Sequence, residues 1–280
     1  MKQWKPDAII LVDYPGFNLR IAKFAKKLGI KVFYYISPQV WAWKENRVNT
    51  IREYVDKLFV VLPFEKEFYK KHNIDVEFVG HPLLDVIGEN SYGKLVNEPY
   101  ILILPGSRKQ EIKHILPTML KATEKLKYQF TIVLGASASL PEDFYKQFLN
   151  NYDFVKVFYD KTYDLLNFAE YSINTSGTVT LETALFKVPQ IICYKGNFIS
   201  FMIAKQIVNI DFIGLPNLIS GKQIVPELIQ KDFNVKNILQ SFEDIQKNRN
   251  KIIKDYEELY HKLGGKGASE RTAKKILQLL

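Results

Sequence analysis

The chain has 280 residues, 47% hydrophobic and 25% charged, with 39 Lys and Arg against 30 Asp and Glu for a net charge of +9. At roughly 100 to 200 residues per domain this predicts two domains. The one cysteine, Cys193, excludes an intrachain disulfide, the four scattered histidines lack metal-ligand spacing, and no run of about 18 uncharged apolar residues reads as a membrane span.

The opening stretch MKQWKPDAIILVDYPGF has no small-residue cleavage site and is interrupted by Asp13, so no secretory leader is expected. DAIILVDY (7–14) predicts a strand. In NLRIAKFAKKLG (18–29), Leu19, Ile21, Ala22, Ala25 and Leu28 recur at helical spacing before a stop at Gly29. KVFYYIS (31–37), VDKLFVVLP (55–63) and VEFVG (76–80) are further strand candidates, and GENSYGKLVNEP (88–99) breaks the pattern as a junction. The alternation restarts with YILILP (100–105), a helix near 109–127, FTIVLG (130–135) and a helix near 141–150. FVKVFY (154–159), YSIN (171–174), a helix from about 178, PQIICY (189–194) and a helical end complete it. Apolar strands separated by helices imply parallel βαβ units. The expected fold is α/β, with two Rossmann-like parallel-sheet lobes at 1–93 and 94–280, the first incomplete with four strands.

Three turns hold candidate chemistry. In YILILPGSRKQEI the strand ends at Pro105, Gly106 permits a tight turn, Ser107 can cap the next helix, and Arg108 adds a fixed bidentate cation. An ordinary capped turn with a surface arginine is the bland alternative. SINTSGTVTLETAL repeats the arrangement with Ser176, Gly177 and Thr178 at a helix start, and Glu182 is placed to accept from ribose hydroxyls or to serve as an N-terminal helix charge. Two anion seats at strand ends match where open α/β sheets bind nucleotides. In the first lobe Asp13 ends a strand, able to accept a proton from a substrate hydroxyl or to cap the next helix. Trp41 and Trp43 suit a sugar or lipid wall, or buried packing. The charge surplus favours anionic partners such as phosphorylated small molecules or an acidic membrane face, and no nucleic-acid signature accompanies it.

The stretches VDYPGFNLRIAKFAKKLGIKVFYYISPQVWAWKENRV, FEKEFYKKHNIDVEFVGHPLLD, ILPGSRKQEI, NTSGTVTLETAL and DFIGLPNLISGKQIVPELI occur in the order and spacing of the lipid-A-disaccharide synthase family, which the chain resembles over nearly its whole length. The resemblance implies a GT-B glycosyltransferase of lipid A biosynthesis. It would pass 2,3-diacylglucosamine from UDP-2,3-diacylglucosamine to 2,3-diacylglucosamine 1-phosphate and release UDP, without metal or cofactor. It further implies inverting transfer with Asp13 as base, Arg108 and the Ser107 and Ser176–Thr178 helix starts on the leaving diphosphate, and Glu182 on the ribose. Asn217, in GLPNLISG, is carried over as a donor contact.

A cytoplasmic, peripheral location on the inner membrane of a Gram-negative bacterium follows from the same resemblance, with a homo-oligomer left open. NFISFMIAKQIVNIDFIGL (197–215) is the candidate lipid-facing segment, or else an apolar face packed against protein. The family typically opens with a further strand-and-helix segment bearing Gly-Glu-x-Ser-Gly-Asp, which this chain does not contain. Gly16 stands where the family's Asp-x-Pro-Asp-Phe-Asn has its second acid, and Gln223 where an acid is common. The alternatives are a UDP-binding remnant with little or no activity and another UDP-sugar GT-B enzyme.

Overall fold

Two parallel sheets organise the computed structural model, which describes residues 4, 6–41, 46–87, 91–196 and 211–280. The chain divides into two units, the first joining Met1–Glu89 to Tyr260–Leu280 and the second drawn from the chain between them.

In the first unit, β1 (Ala8–Val12), β2 (Lys31–Tyr35), β3 (Lys57–Val60) and β4 (Val76–Phe78) pair in that order. The connections are α1 (Pro15–Lys27), α2 (Arg47–Tyr54) and α3 (Glu65–Lys71), and α4 (Leu83–Ile87) follows β4. Pro15 opens α1, where its missing N–H costs nothing. Leu19, Ala22 and Ala25 on one face of α1 cluster with Val32 and Tyr34 of β2, burying the stripe that the sequence spacing predicts. β1 is an edge strand, and its Ile10 and Val12 are about half exposed, as is Phe17 of α1.

The second sheet has the order β10-β9-β8-β5-β6-β7. Its strands are β5 (Tyr100–Leu104), β6 (Thr131–Ala136), β7 (Val155–Tyr159), β8 (Tyr171–Thr175), β9 (Gln190–Tyr194) and β10 (Glu227–Ile229). Every residue of β5 and β8 is buried, as expected of central strands covered on both faces. Ile103 of β5 pairs with Leu134 of β6 on one side and Ile173 of β8 on the other. From β5 the chain builds outward through β6 and β7, then returns to lay β8 against the other side of β5. Strand order therefore reverses between β5 and β8, and such a reversal opens a crevice beyond the carboxyl ends of the two strands.

The helices of this unit include α5 (Lys109–Thr123), α6 (Glu142–Leu149), α7 (Thr162–Leu166), α8 (Thr178–Leu185), α9 (Leu215–Ser220), α10 (Val235–Lys247) and α11 (Arg249–Lys262). The strand β10 is an addition to the sequence expectation. Its three residues, too short to show a period, pair with Ile192–Tyr194.

The expected boundary is corrected at the C-terminus. The expected second lobe runs over 94–280, whereas from Tyr260 the chain belongs to the first unit. The last helix, α12 (Ala268–Leu279), packs Ile276 with Phe33, Phe59 and Val79. Arg271 Nε donates to the Val79 carbonyl at 2.9 Å, and the Asp85 carboxylate accepts from the Gly267 and Ser269 amides. Segment 197–210, the main part of the candidate lipid-facing stretch, and Trp43 lie outside the described residues.

Candidate functional site

The loop after β5 comes close to the loop after β8. Gly106 has φ +98°, a conformation that side chains rarely adopt, and a Cβ there would lie 3.0 Å from Thr175 Cγ2 and 3.2 Å from Glu111 Oε2. The backbone angle favours glycine here, and any side chain would also ask Thr175 and Glu111 to give by a few tenths of an ångström. Ser107 is not the helix cap that the sequence suggested: Arg108 occupies the N-cap of α5 with extended backbone, and no side chain caps the helix. The first-turn N–H groups of α5 thus keep their capacity to bind an anion. Arg108 is 80% exposed, and its Nη1 lies 2.6 Å from Glu111 Oε1, three residues along the helix. Glu111 steadies the guanidinium and leaves donors on the other side of the fork free for a phosphate.

The second seat is built by β8 and α8. Gly177 is the N-cap and Thr178 the first helical residue, again with no side-chain cap. Ser176 Oγ is engaged, donating to the Ile213 carbonyl at 3.2 Å, so backbone N–H groups and Thr178 supply the donors at this helix start. A buried amide network pins α8 to the sheet. Asn174 Nδ2 donates to Thr183 Oγ1 at 2.8 Å and Gln190 Oε1 at 3.1 Å, while Gln190 Nε2 donates to the Thr180 carbonyl at 2.9 Å. Glu182 is half-buried, and Tyr163 Oη donates to its Oε1 at 3.1 Å. Burial pushes the Glu182 carboxyl up, and the Tyr163 hydrogen bond partly offsets this.

These elements enclose one cavity of about 480 Å³, within the range of small-molecule sites. Gly106, Ser107, Arg108, Ser176, Gly177, Thr178 and Glu182 all line it, so seven of the residues singled out in the sequence meet in one place. Glu111 and Tyr163, which the sequence reading missed, line it too, as do Ser137 and Asp160 from the ends of β6 and β7. The i,i+3 spacing of Arg108 and Glu111 was a signal for one of them. Tyr163 reaches Glu182 across 19 positions and left none.

Asn217 does not line this cavity. It is fully buried, donating to the Val225 carbonyl and Glu227 Oε1 at 2.8 Å each, and its oxygen accepts from the Ile224 and Val225 amides. Its hydrogen-bonding capacity is used up in holding the 213–227 turn.

In the first unit Asp13 is exposed at the end of β1, with φ +45°, and Tyr14 follows at φ +44°. Two successive non-glycine residues in the left-handed region need outside support. Asn18 Nδ2 supplies it by donating to the Val12 and Asp13 carbonyls at 2.9 and 2.7 Å, as does Tyr34 Oη, which donates to the Asp13 carbonyl at 2.5 Å. All of these bonds hold the Asp13 backbone, and none is to its carboxylate. Trp41 is half-buried, edge-on to Phe64, and its Nε1 donates to Glu65 at 3.1 Å.

Comparison with known proteins agrees with this arrangement. The sequence model of the Lipid-A-disaccharide synthetase family matches residues 1–279. The chain is 43% identical to a lipid-A-disaccharide synthase of Syntrophus aciditrophicus, covering all of this chain and 77% of that one. It is 39% identical to a lipid-A-disaccharide synthase of Nitrosococcus oceani, covering all of this chain and 76% of the relative. In fold it is similar to a UDP-GlcNAc 2-epimerase of Neisseria meningitidis, with a TM-score of 0.66 at 14% identity over 99% of this chain and 77% of that one. It is likewise similar to the MurG of Acinetobacter baumannii, with a TM-score of 0.57 at 13% identity over 100% and 75% of the two chains. The two parallel sheets are thus those of the GT-B fold, and the chain belongs to the lipid-A-disaccharide synthase family, the glycosyltransferases of lipid A biosynthesis.

Proposed function

We propose that the cavity at the β5–β8 reversal holds the UDP of a UDP-2,3-diacylglucosamine donor, and that the sugar passes to 2,3-diacylglucosamine 1-phosphate. One observation carries this reading: two uncapped helix starts, an arginine steadied by a carboxylate and a half-buried glutamate all line the same cavity. Helix N-termini and Arg108 suit a diphosphate, and the Glu182 carboxylate suits paired ribose hydroxyls. Tyr163 orients that carboxylate.

The step is a single displacement with inversion. Asp13 takes the proton of the acceptor's 6-hydroxyl as its oxygen attacks the anomeric carbon. The bond from that carbon to the UDP oxygen breaks, and the leaving diphosphate carries away the electron pair. Arg108 and the N–H groups of α5 and α8 stabilise the charge that develops there. Asn217 would act on the donor only through the 213–227 turn that it holds. Both substrates carry acyl chains, which argues for action at a membrane surface, peripherally on the inner membrane of a Gram-negative cell. Among the described residues no helix is long and apolar enough to cross a membrane.

Calorimetry with UDP and disaccharide formation in detergent test this reading on the full chain. UDP binding that is lost in Arg108→Ala, together with turnover lost in Asp13→Ala, is expected. Failure of the folded chain to bind millimolar UDP would overturn the donor assignment.

A further inference from the structure

The proposed chemistry leaves a buried carboxyl group of the first unit without a task. Glu65 opens α3 and is 1% exposed, yet its carboxylate gathers three N–H donors. The Leu62 and Val61 amides reach Oε2 at 3.0 and 3.3 Å, and Trp41 Nε1 reaches Oε1 at 3.1 Å. The amides belong to the turn after β3, while the indole belongs to the loop after β2. A second tie joins the same loop to α3, with Ser37 Oγ 2.6 Å from Tyr69 Oη. The loop also begins beside Asp13, whose amide donates to the Tyr35 carbonyl at 3.2 Å and whose carbonyl receives the Tyr34 hydroxyl. Hydrogen bonds therefore join the carboxyl ends of β1, β2 and β3 in series, with the ionisable Glu65 side chain as one link.

Burying a carboxylate is costly, and a well-packed apolar side chain at the same place would often be neutral or better for stability. A fold would need no charge here. A polar link earns a place where loop geometry has to be set closely, and the carboxyl edge of a parallel sheet is where α/β enzymes bind substrates.

We propose that Glu65 is a positioning residue for the transfer reaction: by binding the Trp41 indole and the 61–62 turn together, it holds the 37–41 loop beside Asp13 in the shape that seats the sugar acceptor. This rests on the assignment of Asp13 as the base. Glu65 acts through Trp41 and the loop and does not touch the reacting atoms.

Burial pushes the Glu65 carboxyl up to about 7, against the opposing pull of the Leu62 amide, the indole and the Val61 amide. Among the described residues Tyr69 of α3 faces the Glu65 carboxyl and Tyr34 of β2 stands beside Tyr69, both phenols pushed up by burial and neutral throughout the range concerned.

Two substitutions separate the link from the fold. Glu65→Gln can still accept the backbone amides through its oxygen, but it turns an N–H group toward the indole N–H. Trp41→Phe removes the indole donor and keeps a ring against Phe64. Each is expected to raise the acceptor KM about tenfold in the detergent assay, with UDP affinity by calorimetry changed less than twofold. The double variant should lose no more than the worse single one, since both break the same contact. An unchanged acceptor KM in folded Trp41→Phe and Glu65→Gln, or strictly additive losses, would overturn the proposal.

Should Glu65→Gln fail to fold, Trp41→Phe carries the test. If the parent chain forms no disaccharide, it is the proposed function that fails. The link is then judged by Trp41 fluorescence in a Trp4→Phe, Trp43→Phe background. Emission that titrates near pH 7 and loses this titration in Glu65→Gln supports the contact. A titration that persists in Glu65→Gln overturns it.

Discussion

The hydroxyl of Tyr34 donates to the backbone carbonyl of Asp13 at 2.5 Å, so the residue proposed as the base is held by its main chain while its carboxylate stays exposed. Asn18 reinforces the same turn with two further bonds. Asn18→Ala should release the left-handed pair Asp13–Tyr14. We expect turnover to fall about tenfold to a hundredfold, the scale on which small misplacement of a reacting group acts. Stability should fall by only about 1 kcal/mol, as for an exposed hydrogen-bonded side chain. Steady-state kinetics and thermal unfolding on the same preparation separate the two, and a variant with normal turnover would show that the turn needs no such support.

Arg108 is mostly exposed and its one ion pair contributes little to stability. Arg108→Ala should therefore leave the melting temperature nearly unchanged while lowering kcat by about 10²–10³, typical for loss of one preorganised donor. Glu111→Gln should weaken turnover less, because it frees the guanidinium without removing it. Near-parental kcat in Arg108→Ala would return this arginine to the status of a surface residue.

Gly106→Ala places a methyl group 3.0 Å from Thr175 Cγ2 in a backbone conformation at φ +98°. Both effects oppose folding of the β5 loop, at a cost of about 1–3 kcal/mol. The loop must shift away from Thr175, so UDP affinity should drop together with stability. Calorimetry on the folded variant reads the first and denaturant unfolding the second.

Asn217→Ala tests whether this residue supports the fold or the donor. Its four hydrogen bonds are all internal, and its loss leaves the Ile224 and Val225 amides without their acceptor. Stability should fall by roughly 3 kcal/mol, given about 1–3 kcal/mol for each buried group left unsatisfied. UDP affinity of the protein that remains folded should stay within about threefold. A selective loss of UDP binding at unchanged stability would instead support a donor contact.

Glu65 and His81 should oppose each other in the pH dependence of stability. The folded-state carboxyl of Glu65 is raised to about 7, so its contribution is fully present below its ordinary value of 4.5 and is lost as pH rises through 7. Burial lowers His81 to about 4, so its contribution is present above 6.5 and is lost as pH falls through 4. Each spans on the order of 3 kcal/mol, and between pH 4.5 and 6.5 their slopes cancel. The stability difference between the parent and Glu65→Gln should shrink as pH rises from 4.5 to 7. That between the parent and His81→Gln should shrink as pH falls from 6.5 to 4. Unfolding curves at pH 4 to 8 check both signs, and parallel curves would show that neither group is buried as described.

Much of the fold and of the proposed donor cavity was readable from local pattern, because local pattern is what builds them. YILIL and YSINT are apolar or tightly paired for their whole length, which only central strands of a covered sheet sustain. Glycine and hydroxyl residues directly after such strands mark loops at the carboxyl edge, so Gly106 to Arg108 and Ser176 to Thr178 could be named in advance. Tertiary structure decided what depends on distant partners. A helical stripe such as that of 268–279 shows that one face is buried but not against which sheet, and α12 went back to the first unit. Nothing in the local pattern marks Asn217, in a polar-looking turn, or Glu65, at a helix start, as buried. What makes their burial tolerable is the acceptors of Val225 and Glu227 in one case and the donors of Trp41 and Leu62 in the other. Sequence by itself determined most of the strands and which glycine- and hydroxyl-bearing loops follow them at the carboxyl edge. Only the packing of segments far apart in the chain decided which polar groups are buried, because a polar group's cost depends on the partners that the fold brings to it.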